Sequence, residues 1–192
     1  MARSSFVIDD TLARTQVVEA ADQLFYARGV QAVGMDAVRT AAGVSLKRIY
    51  ALFPSKDALI AAVLERRRAQ WNAGIAATAE RADTAREKIL AVFDFLDGWF
   101  REPDFNGCAF INAYGELHDG NPDVSRTVRE QKASFQRYVA DLVRDAGGPE
   151  TLAAQLAILA EGAQTTAAIA GTPEAAAQAR AAAEVLLGAA LD

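Results

Sequence analysis

The sequence is short of the residues that staple or metallate a small protein. It has one cysteine, Cys108, and one histidine, His118. A single cysteine excludes an internal disulfide framework, and one of each is too few for a structural zinc site built from those ligands. Long apolar runs are also missing: none approaches the ~20 residues that cross a bilayer, and the opening "MARSSFVIDD" lacks the apolar centre of a signal peptide. The expected location is the cytoplasm, with no membrane partner. β-Branched runs are scarce, and no segment alternates apolar and polar residues as a half-buried strand does. With 52% hydrophobic and 23% charged residues in a chain of 192, disorder is set aside; there is enough apolar material for one sizeable core or two small ones.

What is present is helical periodicity almost throughout, so the expected fold class is all-α. A first helix is expected over Thr11 to Arg28, capped by Asp9 or Asp10, with Val17, Ala21, Leu24 and Phe25 on one face. A short helix follows over Met35 to Ala42 and stops at Gly43, where the left-handed conformation costs glycine nothing. Ser45 then caps a third helix, Leu46 to Phe53; Pro54 ends it, and Ser55 caps a fourth running towards Ala79. Further helices are expected over Thr84 to Phe100, Phe110 to Leu117, Val124 to Asp145, Thr151 to Ala170 and Pro173 to Ala190, separated by "HDGNPD", "AGGPE" and "GTP".

The net charge of -5 argues against indiscriminate binding to nucleic acid, yet the charge is uneven. Residues 1–56 carry seven Lys/Arg against five Asp/Glu, whereas residues 57–192 carry thirteen against twenty. Basic character is thus confined to the first quarter, as when one small region meets an anion and the rest does other work. Two short helices joined by a glycine-containing turn make a helix-turn-helix, and its second helix carries Lys47, Arg48 and Tyr50 towards its N-terminal half. An α-helix fits the major groove of DNA; Lys and Arg donate to guanine edges or phosphates, and a tyrosine hydroxyl donates to phosphate. Lys56 adds positive charge beside the N–H groups that open the fourth helix. The plainer reading of such a basic helix end is a solvated surface.

The segment from Thr11 to Leu59 resembles the DNA-binding domain of the TetR family of transcriptional regulators. The likeness rests on an ordered series: "AADQLFYARG" ending the first helix, "AAGV" ending the second, Ser45 as cap, then "IYALFPSKDAL". It implies that Tyr50 and Lys56 contact phosphates and that Ser45, Leu46, Lys47 and Arg48 lie where base or backbone contacts are made. Lys47 and Arg48 stand where the family often has glycine and a small hydroxyl residue, and Leu52 where histidine is common; Arg39 replaces a usual alanine and is a further candidate contact. The resemblance divides the chain into a DNA-binding domain, 1–56, and a helical effector-binding and dimerisation domain, 57–192. It implies a homodimer on palindromic operator DNA, a repressor released by an unidentified small-molecule effector, with no cofactor.

Two further sets of residues follow from that division. Leu152, Leu156, Leu159 and Ala163 form one helical stripe and Val185 with Leu186 another, and these are the candidate dimer interface, unless both stripes bury against their own subunit. The middle helices carry Phe93, Leu96, Trp99, Phe100, Phe110, Tyr114, Phe135 and Tyr138, with His118 nearby: either an effector pocket or plain core. No catalytic residue and no metal site is expected. Cys108 and His118 lack a third group to complete a nucleophile and base, and the acids Glu116, Asp119 and Asp123 flank the "DGNPD" turn. The alternative function is a helical small-molecule-binding or interaction protein that no longer reads DNA.

Overall fold

The computed structural model describes residues 2–191, with side chains from Asp9 onward. Among the described residues there are nine helices and no strand: α1 (Ala2–Arg28), α2 (Met35–Ala42), α3 (Leu46–Leu52), α4 (Lys56–Ala79), α5 (Ala85–Phe100), α6 (Ala109–Leu117), α7 (Pro122–Asp145), α8 (Glu150–Ala170) and α9 (Glu174–Leu191). The all-α class is as the periodicity implies. No helix among the described residues is long and apolar enough to cross a membrane.

The chain packs as two compact units, residues 1–67 with 109–127, and residues 68–108 with 128–192. The first contains α1 to α3, the first half of α4, α6 and the start of α7. Its centre is made by Val17 and Ala21 of α1, Val38 of α2, Ile49 of α3, Phe53 and Leu59, all almost wholly buried. At eight and seven residues, α2 and α3 are too short to be stable alone, and the shared core supplies what propensity cannot.

Helix ends follow local chemistry. Ser45 takes an extended conformation and its hydroxyl accepts the Arg48 N–H, while Ser55 accepts that of Ala58 at the start of α4. Gly43 closes α2 at φ 65°, and its N–H returns to the Arg39 carbonyl. Thr84 and Glu87 form a reciprocal capping box that opens α5, and the N–H groups donated to Glu87 hold its carboxyl below the usual range. At the chain's beginning the expectation fails: α1 starts at Ala2, so Asp9 and Asp10 lie inside the helix and cap nothing. Their carboxylates are engaged elsewhere, as described below.

The second unit contains the rest of α4 and α7 with α5, α8 and α9. Leu96, Leu156 and Leu187 are fully buried, and Ala160, Ala176 and Ala183 let the helix backbones approach. An aromatic cluster extends this core: the Trp71 ring meets Phe95, Trp99 and Phe135 edge-on at centroid distances of 5.2, 5.5 and 5.7 Å. Gly74, nearly one turn beyond Trp71, is required by this packing, because a Cβ there would stand 2.3 Å from the Phe95 ring.

Candidate nucleic-acid interface

The turn between α2 and α3 puts one face of α3 in the core and the other in solvent. Ile49 is completely buried, whereas Ser45, Lys47, Tyr50 and Ala51 are exposed; Tyr50 retains 45% of its accessible surface despite being a large ring. The exposed face of α3 thus carries an amine and a phenol, two groups able to donate to phosphate, on a Ser-capped helix. Leu46 is half-buried. On α2, Arg39 is exposed and pairs with Asp36 at 3.2 Å.

Arg48 and Lys56 are held by the protein itself. The Arg48 guanidinium reaches α1, with Nη2 at 2.7 Å from Asp9 and 2.9 Å from Asp10. The hydrogen bond to Asp9 foremost, then the charges of both carboxylates, raises the Arg48 pKa above its ordinary value. Its Nε is buried and has no hydrogen-bond partner among the described residues. Lys56 Nζ donates to the Val30 carbonyl at 2.7 Å and lies 5.8 Å from the centre of the Phe25 ring. It therefore joins the start of α4 to the α1–α2 turn.

Three residues outside the expected DNA-contact set complete the frame. Arg14 of α1 donates to the Leu52 carbonyl at the end of α3, with its guanidinium over the Phe53 ring. Glu116 of α6 accepts the N–H groups of Val30 and Gln31, and its own carbonyl accepts from the Gln31 amide. Asp22 is buried on α1 between Arg66 and Arg67 of α4. None of these pairs is visible in periodicity, because each joins residues far apart in sequence.

The residues expected to line an effector pocket divide between the two units. Phe110, Tyr114 and His118 belong to α6 or its end in the first; His118 is exposed, stacks on Tyr114 and pairs with Asp119, so it lines no interior. In the second unit Phe93, Leu96 and Phe100 are buried core, and Trp99 packs in the aromatic cluster. Phe135 and Tyr138 do face a cavity of about 220 Å³ between α4 and α7, lined also by Trp71, Asn72, Ile75 and Ser134. Burial pushes the Tyr138 phenol up, so its hydroxyl stays protonated and able to donate.

The stripes expected to form a dimer interface are mostly turned inward. Leu152, Leu156 and Ala163 are buried within their own unit, out of a partner's reach, and Leu159 and Leu186 pack partly against the same core. Val185 is 72% exposed, together with Ile158 at 71% and Ile169 at 84%. Periodicity offers the long apolar residues of α8 as an outer face; packing on α5 and α9 claims them as the inner one.

A helix-turn-helix with a capped, partly exposed second helix, seated on a three-helix core, defines a DNA-binding regulator of the helix-turn-helix class. The comparisons with known proteins agree. A family model described as "Bacterial regulatory proteins, tetR family" matches residues 17–63, and one described as "Tetracyclin repressor-like, C-terminal domain" matches residues 85–183. The chain belongs to the TetR family of transcriptional regulators, which are DNA-binding transcription factors and not enzymes. The HTH-type transcriptional activator FasR of Mycolicibacterium smegmatis is 32% identical over 139 residues, which are 70% of this chain and 60% of that protein. The chain thus spans less than two thirds of that relative's length. A TetR-family regulator from Streptomyces coelicolor is 28% identical with a TM-score of 0.89, covering 95% of this chain and 97% of that one. Another from Streptomyces avermitilis is 34% identical with a TM-score of 0.81, covering 93% and 97%.

Proposed function

We propose that the protein acts as a homodimer that occupies a near-palindromic operator, represses the adjacent promoter, and leaves the DNA when a small uncharged effector binds. The observation that carries the DNA-reading role is the exposure of Lys47 and Tyr50 on the Ser45-capped face of α3. One α3 touches few base pairs, so useful specificity needs two copies reading half-sites about one helical turn apart. The proposed functional division follows the family resemblance: residues 1–56 read DNA, and residues 57–192 bind the effector and dimerise.

Support for the dimer comes from the outer faces of α8 and α9. Ala154, Ile158, Gly162, Thr165 and Ile169 recur at three and four residue intervals and are all exposed, as are Ala177, Ala181 and Val185 on α9. Small residues let two such helix pairs approach closely, and covering Ile158, Ile169 and Val185 removes apolar surface from water.

Support for an uncharged effector comes from the cavity between α4 and α7. Trp71, Ile75 and Phe135 make it aromatic and apolar, Asn72, Ser134 and Tyr138 offer hydrogen bonds, and no charged residue lines it among the described residues. Such a lining orients a neutral ring and leaves an ion unpaired. The effector and the operator are then coupled reciprocally, each weakening the other's binding.

The similarity to FasR, described as an activator, favours a second reading in which the bound protein raises transcription. The two are separated by selecting genomic fragments with the purified protein at fixed salt, footprinting the winners, and placing them upstream of a reporter. Repression predicts that reporter output falls when the protein is supplied; a rise establishes the activator. Failure to select any site better than a Lys47→Ala, Tyr50→Ala variant would overturn both and favour the interaction protein that no longer reads DNA.

A further inference from the structure

We propose that Asp9 and Asp10 set which side chains of α3 read DNA: by holding the Arg48 guanidinium on α1, they leave Lys47 and Tyr50 as the reading pair. This rests on DNA binding through α3 and not on the sign of regulation or the effector.

Arg48 makes two charge-assisted contacts through Nη2, at 2.7 and 2.9 Å, to two separate carboxylates, and moving the guanidinium off α1 towards a DNA groove breaks both. Its side chain is 33% exposed, while those of Asp9 and Asp10 are 58% and 50% exposed. Two carboxylates against one guanidinium give this three-residue cluster one net negative charge, which does not favour an approaching phosphate. Finally, α1 runs without a break from Ala2, so the two aspartates are not spent on a helix cap.

The consequence for recognition is subtraction. Arginine is the side chain best suited to reading guanine, through paired donors to O6 and N7. Adjacent Lys47 and Arg48 suggest two such readers, but the aspartates withdraw one. Asp9 and Asp10 act through Arg48, which makes them positioning residues for base preference, although neither needs to touch DNA.

The test uses the full-length protein and a short duplex of random sequence, so that no operator need be known. Affinity is measured across a salt series for wild type, Arg48→Ala, Asp9→Asn/Asp10→Asn, and the variant carrying all three changes. The expected result is an unchanged salt slope for Arg48→Ala. The double asparagine variant should be steeper by about 0.9 per protomer in log K against log salt, because the released Arg48 neutralises one further phosphate. With Arg48 also removed, the steepening should vanish. Selection from a randomised duplex should then show a guanine preference in the double asparagine variant that wild type lacks. Asp9→Glu/Asp10→Glu, which keeps the charges, should restore the wild-type slope and preference. The proposal is overturned if Arg48→Ala alone flattens the slope by that amount, or if the steepening persists without Arg48. Should the double asparagine variant fail to fold by circular dichroism, Asp9→Ser/Asp10→Ser, with and without Arg48→Ala, applies the same criteria.

Discussion

Glu116 Oε2 accepts the backbone N–H of Gln31 at 2.8 Å, across 85 residues of sequence. The other oxygen takes the Val30 N–H at 3.1 Å, and Lys56 holds the carbonyl of that same Val30. The turn between α1 and α2 is thus fastened by an acid from α6 and a base from α4.

Removing the acid leaves donors unpaired. Glu116→Ala is expected to lower unfolding stability by about 1–3 kcal/mol, since Val30 is buried and its N–H loses its partner; Glu116→Gln keeps an acceptor oxygen and should lose less. Gly29→Ala should cost about 1–2 kcal/mol, because φ is 83° and the new Cβ would sit 3.1 Å from both Glu116 oxygens. Urea unfolding of the three variants checks the order; an undiminished midpoint for Glu116→Ala removes the fastening role.

On the DNA face, Lys47→Ala should weaken binding and flatten the salt slope by about 0.9 per protomer if the amine contacts phosphate. If it reads a base edge, the slope stays but discrimination at one operator position falls by about 1–3 kcal/mol. Tyr50→Phe should weaken all sequences alike through loss of the hydroxyl donor. Anisotropy titrations on selected and random duplexes distinguish these outcomes, and neither variant should change the melting temperature, since both side chains are exposed.

Gly74→Ala tests the aromatic cluster. Alanine adds about 1 kcal/mol of helix propensity over glycine, but its Cβ would stand 2.3 Å from the Phe95 ring, which stacks against Trp99 and meets Trp71. Overpacking of this kind costs about 1–3 kcal/mol, so the net expectation is destabilisation with a changed tryptophan fluorescence spectrum. A more stable protein with an unchanged spectrum would mean that Phe95 moves aside freely.

The outer faces of α8 and α9 are tested by Ile158→Glu with Ile169→Glu. These residues are exposed in the single chain, so the monomer should keep its helix content while sedimentation shifts from dimer to monomer. Leu156→Glu should instead unfold the second unit, because that position is 1% exposed and cannot shelter a charge. A dimer that survives the paired glutamates would place the interface elsewhere.

Much of the fold is legible in the sequence because the signals are local. Ser45 and Ser55 as caps, Gly43 as terminator and the extent of α2 each depend on residues within one or two helical turns. The same kind of signal misleads at Asp9 and Asp10, whose side chains suit a cap but serve an ion pair with Arg48, 38 residues beyond Asp10. It misleads again in α8, where apolar periodicity identifies a buried face without saying what buries it.

The sequence alone determined the helical class and the helix-turn-helix, and it offered Lys47 and Tyr50 among the candidate DNA contacts, because hydrophobic spacing, capping and charge are properties of neighbours along the chain. Tertiary structure decided that Arg48 and Lys56 are held by the protein, that Leu152 and Leu156 face inward, and that Glu116 secures a turn far away in sequence. Those outcomes depend on which charges and which faces meet once the helices pack, and competition among partners separated by tens of residues has no local signature.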